Sequence, residues 1–194
     1  MKKLLVLLVL FLPLQALAAG IVSGSVTVAS DYIWRGQTQT SGNFALSGGL
    51  EASLGNITIG TWASNVDFQD EAKYEYDLYV NAYHDINDFF GVSAGYQHIG
   101  YDKGYDAFNE AYVGISMGYL GVTYHQDLEN SNNTFISVVY SMPFISTVGL
   151  SLEHGKTAGL EAYQAINISK ELGKYVVGGQ IGTEQSFIAI SYNF

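Results

Sequence analysis

The sequence predicts an all-β protein: a closed antiparallel transmembrane β-barrel, with short turns at one end and longer loops at the other. Three observations carry this. Apolar and polar residues alternate with a period of two through most of the chain, as expected where every second side chain faces an apolar medium. The composition, with 22 Gly and 15 Tyr but only 2 Pro, suits long uninterrupted strands. The first residues read as an export signal that leads into the first alternating segment.

Residues 1–18 are read as that signal, and residues 19–194 as the barrel. Lys2 and Lys3 form a charged start, Leu4 to Leu14 is apolar and too short to span a bilayer comfortably, and Ala16-Leu17-Ala18 is a small-x-small cleavage site. Without the signal, 6 of the 8 basic residues remain against 18 acidic ones, taking the formal charge from −10 to −12. That argues against nucleic acid as a partner. The chain has no Cys, so neither a disulfide framework nor thiolate chemistry is expected. No later apolar run is long enough for a transmembrane helix.

The first strand runs from Val22 to Arg35. Val22, Val26, Val28, Tyr32 and Trp34 share its apolar face, and Asp31 and Arg35 lie on the other. The second strand returns with Phe44, Leu46, Leu50 and Leu54 outward and Glu51 inward, and ends at a Gly55-Asn56 turn. In the third, Ile57 and Ile59 face outward, which turns Trp62 inward. The fourth sets Tyr74, Tyr76, Leu78 and Val80 against Glu75, Asp77, Tyr79 and Tyr83. The fifth begins at Phe90. The sixth has Val113 and Ile115 against Glu110 and Tyr112, and the seventh has Val122 and Tyr124 against His125 and Asp127. The eighth contains Ile136, Val138 and Tyr140 and ends at Met142-Pro143, and the ninth has Leu150 and Leu152 against Glu153. Segments 160–169 and 175–182 are less regular. The count is twelve, an even number as a closed antiparallel bacterial barrel requires. It drops to ten if those two segments are not strands.

The last strand, Ser186 to Phe194, places Ile188, Ile190, Tyr192 and Phe194 on one face. A terminal Phe behind such a strand resembles the closing strand of bacterial outer-membrane barrels, and that resemblance implies the barrel assembly machinery as a partner. Earlier, Ser30-Asp31-Tyr32-Ile33-Trp34-Arg35-Gly36 is followed by Gln37-Thr38-Gln39-Thr40. Then come Gly48-Gly49-Leu50, the run Gly60-Thr61-Trp62-Ala63-Ser64-Asn65-Val66-Asp67-Phe68, and Glu75-Tyr76-Asp77-Leu78-Tyr79. Together these resemble the TorF family of porin-like proteobacterial proteins, most densely over residues 22–80. The family's tract after Arg-Gly is commonly richer in Ser than Gln37-Thr38-Gln39-Thr40. The resemblance implies an integral outer-membrane pore in a Gram-negative cell, set in outer-membrane lipid and lipopolysaccharide. The family is mostly unassigned in substrate.

On this strand assignment the pore lining comprises Asp31, Arg35, Glu51, Glu75, Asp77, Tyr79, Tyr83, Glu110, Tyr112, Asp127 and Glu153. Glu161 joins them if the tenth segment is a strand. Tyr32, Trp34, Phe44, Tyr74 and Tyr76 form the outer aromatic girdle, and Phe90, Tyr140, Tyr192 and Phe194 the inner one. All the carboxylates but Glu51 fall in the outer half, an acidic vestibule that favours cations. The expected function is passive diffusion of small cationic or neutral solutes and ions, with no cofactor and no metal. No connection reads as long enough to fold in as a plug.

Four other readings compete. Lumen carboxylates that bond to inward tyrosines would fill a closed structural or surface-binding barrel. In a soluble β-sandwich the aromatics would be core. An outer-membrane hydrolase or acyltransferase could use His125 with Asp127 and Thr123, although no Gly-x-Ser-x-Gly motif is present. Asp67, Asp70 and Glu71 could hold a hard cation, but a solvated acidic loop explains them as well.

Overall fold

The computed structural model describes residues 22–142 and 148–194. The expected signal and Pro143 lie outside those residues. Among the described residues there is no helix, and twelve antiparallel strands form one closed barrel. They are β1 (Val22–Ala29), β2 (Ala45–Leu54), β3 (Ile57–Asn65), β4 (Tyr74–Asp85), β5 (Phe90–Tyr101), β6 (Phe108–Met117), β7 (Leu120–Asp127), β8 (Thr134–Ser141), β9 (Val148–Thr157), β10 (Ala162–Leu172), β11 (Tyr175–Gly182) and β12 (Ser186–Asn193). The two irregular segments are therefore both strands. Each strand pairs with its sequence neighbours, and β1 closes on β12 through Ser25↔Asn193 to Ala29↔Ala189. No barrel strand keeps an unpaired edge.

The alternation holds around the barrel. Val26, Leu46, Ile59, Val80, Val113, Ile115, Ile136, Leu152, Ile168 and Ile190 are all exposed on the outside. On the inside, Glu75, Asp77 and Glu110 are buried. A protein with exposed isoleucines and buried carboxylates is inverted relative to a soluble domain, as a bilayer requires.

Three turns at one end share a single build. Leu54↔Ile57, Met117↔Leu120 and Leu172↔Tyr175 are each closed by two residues, and the first is Gly at φ of 62°, 58° and 66°. Gly first with positive φ is the type II′ pattern, whose twist matches the flanking strands. Longer connections gather at the opposite end.

The longest of these corrects the sequence reading. β1 stops at Ala29 rather than Arg35, and residues 30–44 leave the ladder, with the stretch 31–40 folded into the lumen. Their core is a small hairpin, Ile33–Trp34 paired with Gln37–Thr38. Its two central residues, Arg35 and Gly36, have φ of 51° and 80°, the signature of a type I′ turn. Tyr32 and Trp34 therefore sit inside the barrel and belong to no girdle. Asp31 and Arg35 are carried by the inserted loop, not by the wall. The loop is long enough to occupy the lumen after all.

The outward face should penalise charge in a way no soluble surface does. Val113→Arg, near the middle of β6, should lower stability by about 2–4 kcal/mol in equilibrium urea unfolding from lipid vesicles. A soluble sandwich would tolerate that change at so exposed a position almost without loss.

Candidate functional site

The inserted loop is first tied to itself. Asp31 is buried and accepts hydrogen bonds from the Thr38 and Thr40 hydroxyls, both at 2.7 Å. Thr40, fully buried, accepts the Tyr32 N–H at 3.1 Å. These bonds give the hairpin a fixed shape before it meets the wall.

Three contacts then clamp it. The Arg35 guanidinium donates from both terminal nitrogens to Glu110 on β6, at 2.8 and 2.6 Å. The two side chains are 10% and 3% exposed, so this is a buried bidentate pair. The same guanidinium lies 4.3 Å from the ring centres of Trp34 and of Phe135 on β8. Tyr32 donates to Glu75 on β4 at 2.7 Å and meets the Trp62 ring edge-on at 5.1 Å. Gly36 packs against Tyr163 of β10. A Cβ there would lie 2.8 Å from that ring, and the φ of 80° already disfavours a side chain. Arg35 itself holds a positive φ, which costs about 1–3 kcal/mol in a non-Gly residue. The bidentate pair and two ring contacts offset that strain.

The wall beneath the hairpin follows a rule of its own. Inward tyrosines lie opposite inward glycines: Tyr79↔Gly60, Tyr112↔Gly95 and Tyr163↔Gly155. A Cβ on any of these glycines would meet its tyrosine ring within 2.4 Å. Each ring thus covers its neighbour's backbone. Across Gly60, Tyr79 reaches Glu51 two strands away and donates at 2.6 Å. Across Gly155, Tyr163 donates to Glu153 at 2.6 Å.

Two of the cavities among the described residues lie in the lumen. One, of about 370 Å³, lies under the hairpin between Tyr32, Trp34, Trp62, Asp77, Tyr79, Asn81, Gln97 and Tyr112. The other, of about 390 Å³, opens toward the turn end beside Ser23, Ser25 and Asn193. Glu51, Trp62 and Tyr79 border both, so they form the neck between them. Arg35 is the sole arginine of the sequence, and none of the lysines lines either cavity.

The predicted lining residues thus separate into groups. Glu51, Asp77, Tyr79 and Tyr112 border the cavities. Asp31, Arg35, Glu75 and Glu110 hold the hairpin. Glu153 is taken up by Tyr163 and Asn167. Asp127 anchors the loop after β7, accepting the N–H groups of Glu129 and Asn130 at 2.9 and 3.0 Å and the Asn133 amide at 3.0 Å. Tyr83 is at the turn end, donating to Asp85 at 2.7 Å. Glu161 precedes β10 and is exposed. Trp62, turned inward by the sequence pattern, borders both cavities, and Asn81 and Gln97, which that reading did not count, border the one under the hairpin; their place on the inward face of β4 and β5 was the available signal. Of the girdle residues, Phe44, Tyr74, Tyr76, Phe90, Tyr140, Tyr192 and Phe194 are exposed.

No acyl-transfer constellation assembles around His125. Thr123 bonds to Ser137 at 2.7 Å, Asp127 serves its loop, and His125 stacks on Tyr112 with its Nδ1 3.6 Å from Glu110. Asp70 is likewise a loop residue. Tyr105 donates to it at 2.6 Å and holds its carboxyl below the usual range. Among the described residues no cluster of His, Asp and Glu could hold a metal ion.

A family model described as a bacterial protein of unknown function (Gcw_chp) matches residues 15–141. The chain belongs to that family. The match spans β1–β8 and takes in the inserted hairpin, the neck and Glu110. No curated protein matches the chain. Among solved structures it is similar to the KdgM porin in complex with disordered oligogalacturonate, with a TM-score of 0.63 and 10% identity over 89% of this chain and 97% of that one. A structure from work on the in-meso crystallisation of membrane proteins gives a TM-score of 0.60 and 8% identity, over 89% of this chain and 83% of that one. At these identities the likeness is one of fold: the barrel is porin-like.

Removing one member of the buried ion pair should cost more than removing both. Arg35→Met should lower stability in vesicle-based urea unfolding by about 3–5 kcal/mol, because Glu110 is left buried without its cation. Arg35→Met with Glu110→Gln should regain most of that loss.

Proposed function

We propose that the protein is an integral outer-membrane channel of the TorF porin kind, passing small cations and neutral solutes by diffusion. The reading rests on one observation: a porin-like barrel whose lumen is narrowed but not filled by its own loop, and whose remaining space is bordered by carboxylates. A solute entering from the loop end passes beside the hairpin into the upper cavity, then through the neck at Glu51, Trp62 and Tyr79. Asp77 and Glu51 border this route, and the one guanidinium of the lumen is spent on Glu110. Fixed carboxylates in a low-dielectric tube concentrate cations and repel anions.

The charge sense sets this lumen apart from a polyanion channel. The KdgM porin was solved with oligogalacturonate, an acidic oligosaccharide. A lumen bordered by Asp77 and Glu51, with its arginine already paired to Glu110, would repel such a ligand. The proposal includes export through residues 1–18, contact of the outward apolar face with lipid and lipopolysaccharide, and recognition of β12 by the barrel assembly machinery.

Reversal potentials across a potassium chloride gradient in planar bilayers test the reading. The expected result is cation preference, reduced by Glu51→Gln at the neck. Anion selectivity would contradict the proposed charge mechanism. The absence of any conductance would favour the closed, surface-binding barrel.

A further inference from the structure

Asp77 is the odd group in the lumen. It is 7% exposed. Its Oδ2 accepts from Gln97 at 2.8 Å, yet its Oδ1 finds no hydrogen-bond partner among the described residues. The other buried carboxylates of the wall are answered: Glu75 by Tyr32, Glu110 by Arg35, and Asp127 by the loop after β7. A buried carboxylate oxygen without a partner carries a large desolvation cost, which a matching cation would relieve. Oδ1 itself is sealed from solvent, but Asp77 and Glu51 both border the upper cavity, so a ligand cation held there would act on them through space.

The rest of that cavity favours one kind of cation. Five aromatic rings, Tyr32, Trp34, Trp62, Tyr79 and Tyr112, line the cavity with Asp77, and the Glu51 carboxylate and the amides of Asn81 and Gln97 complete the lining. A bare alkali ion prefers a shell of oxygens, and the rings offer few. An ammonium with alkyl groups is held by aromatic rings through cation–π attraction and burial of its carbons, while its charge is met by a carboxylate. A volume of about 370 Å³ admits a small ion of this class.

We propose that the cavity beneath the inserted hairpin is a binding subsite for small organic ammonium ions, with Asp77 as the counter-charge and the surrounding aromatics as the cage. It deepens the channel reading and rests on it for its biological role, since it is where a permeating cation would pause. Its occupancy can be tested without any conductance.

Both tryptophans of the sequence, Trp34 and Trp62, line the cavity, so intrinsic fluorescence reports on it directly. The folded full-length mature protein in detergent is titrated with choline chloride at ionic strength held constant with sodium chloride. A saturable fluorescence change is expected. It should be absent with the uncharged isostere that carries carbon in place of the ammonium nitrogen. Asp77→Asn should weaken choline binding by about tenfold, on the scale of a screened charge–charge attraction, since the quaternary ammonium has no N–H to donate. Tyr79→Leu, which removes a cage ring, serves if Asp77→Asn does not fold. Glu153→Gln, which lies outside the cavity, should change nothing. An unsaturable response, an isostere that binds as well as choline, or maltose that saturates while choline does not would each overturn the subsite. Choline binding without bilayer conductance would leave the subsite standing and defeat the channel. Conductance without choline binding would do the reverse.

Discussion

Closure of the backbone ladder is the constraint on which everything else depends. In hydrocarbon an unpaired N–H or C=O costs several kcal/mol, so an open sheet edge cannot persist. β1 and β12 meet along Ser25 to Ala29 and Asn193 to Ala189, and every other strand pairs on both sides. Once the ladder is closed, each side chain has only two places to go, lipid or lumen. The exposed isoleucines and valines and the buried Glu75, Asp77 and Glu110 follow from that single geometric fact.

The lumen is then a problem of filling. Barrels of about eight strands are filled by their own side chains, and those of sixteen or more leave a channel. With twelve strands this barrel falls between, and it fills one side only. The inserted stretch 31–40 presses toward β6, β8 and β10 through Arg35, Phe135 and Tyr163. The β2–β6 side keeps the upper cavity. Tyrosines that cover opposing glycines occur on both sides and carry their hydroxyls to Glu51 and Glu153. The acids are thus structural partners and electrostatic surface at once. Asp77, half answered by Gln97, stands between those roles.

Most of the wall was legible in the sequence, because a period of two is a direct imprint of two environments. The twelve segments, their facing and the Gly55 turn follow from it. The inserted hairpin was not legible, since the alternation runs on without a break from β1 into Ile33, Trp34 and Arg35. One warning was present: a strand from 22 to 35 exceeds the nine to eleven residues that a tilted transmembrane strand needs, and Ser30-Asp31 is a turn-forming pair inside it. The Arg-Gly dipeptide hid the turn, because a type I′ hairpin is expected to carry Asn or Asp before Gly. Pairings such as Tyr79 with Glu51 were beyond reach, as they depend on the register of three strands.

A disulfide across the seam tests closure most directly. The sequence has no cysteine, and the hydroxyls of Thr27 on β1 and Ser191 on β12 lie 2.8 Å apart although 164 residues separate them. In the folded protein, Thr27→Cys with Ser191→Cys should oxidise to an intramolecular disulfide in nearly every molecule, seen as a reductant-sensitive shift on denaturing electrophoresis. Failure of the two thiols to join in folded, membrane-inserted protein would contradict the closed barrel.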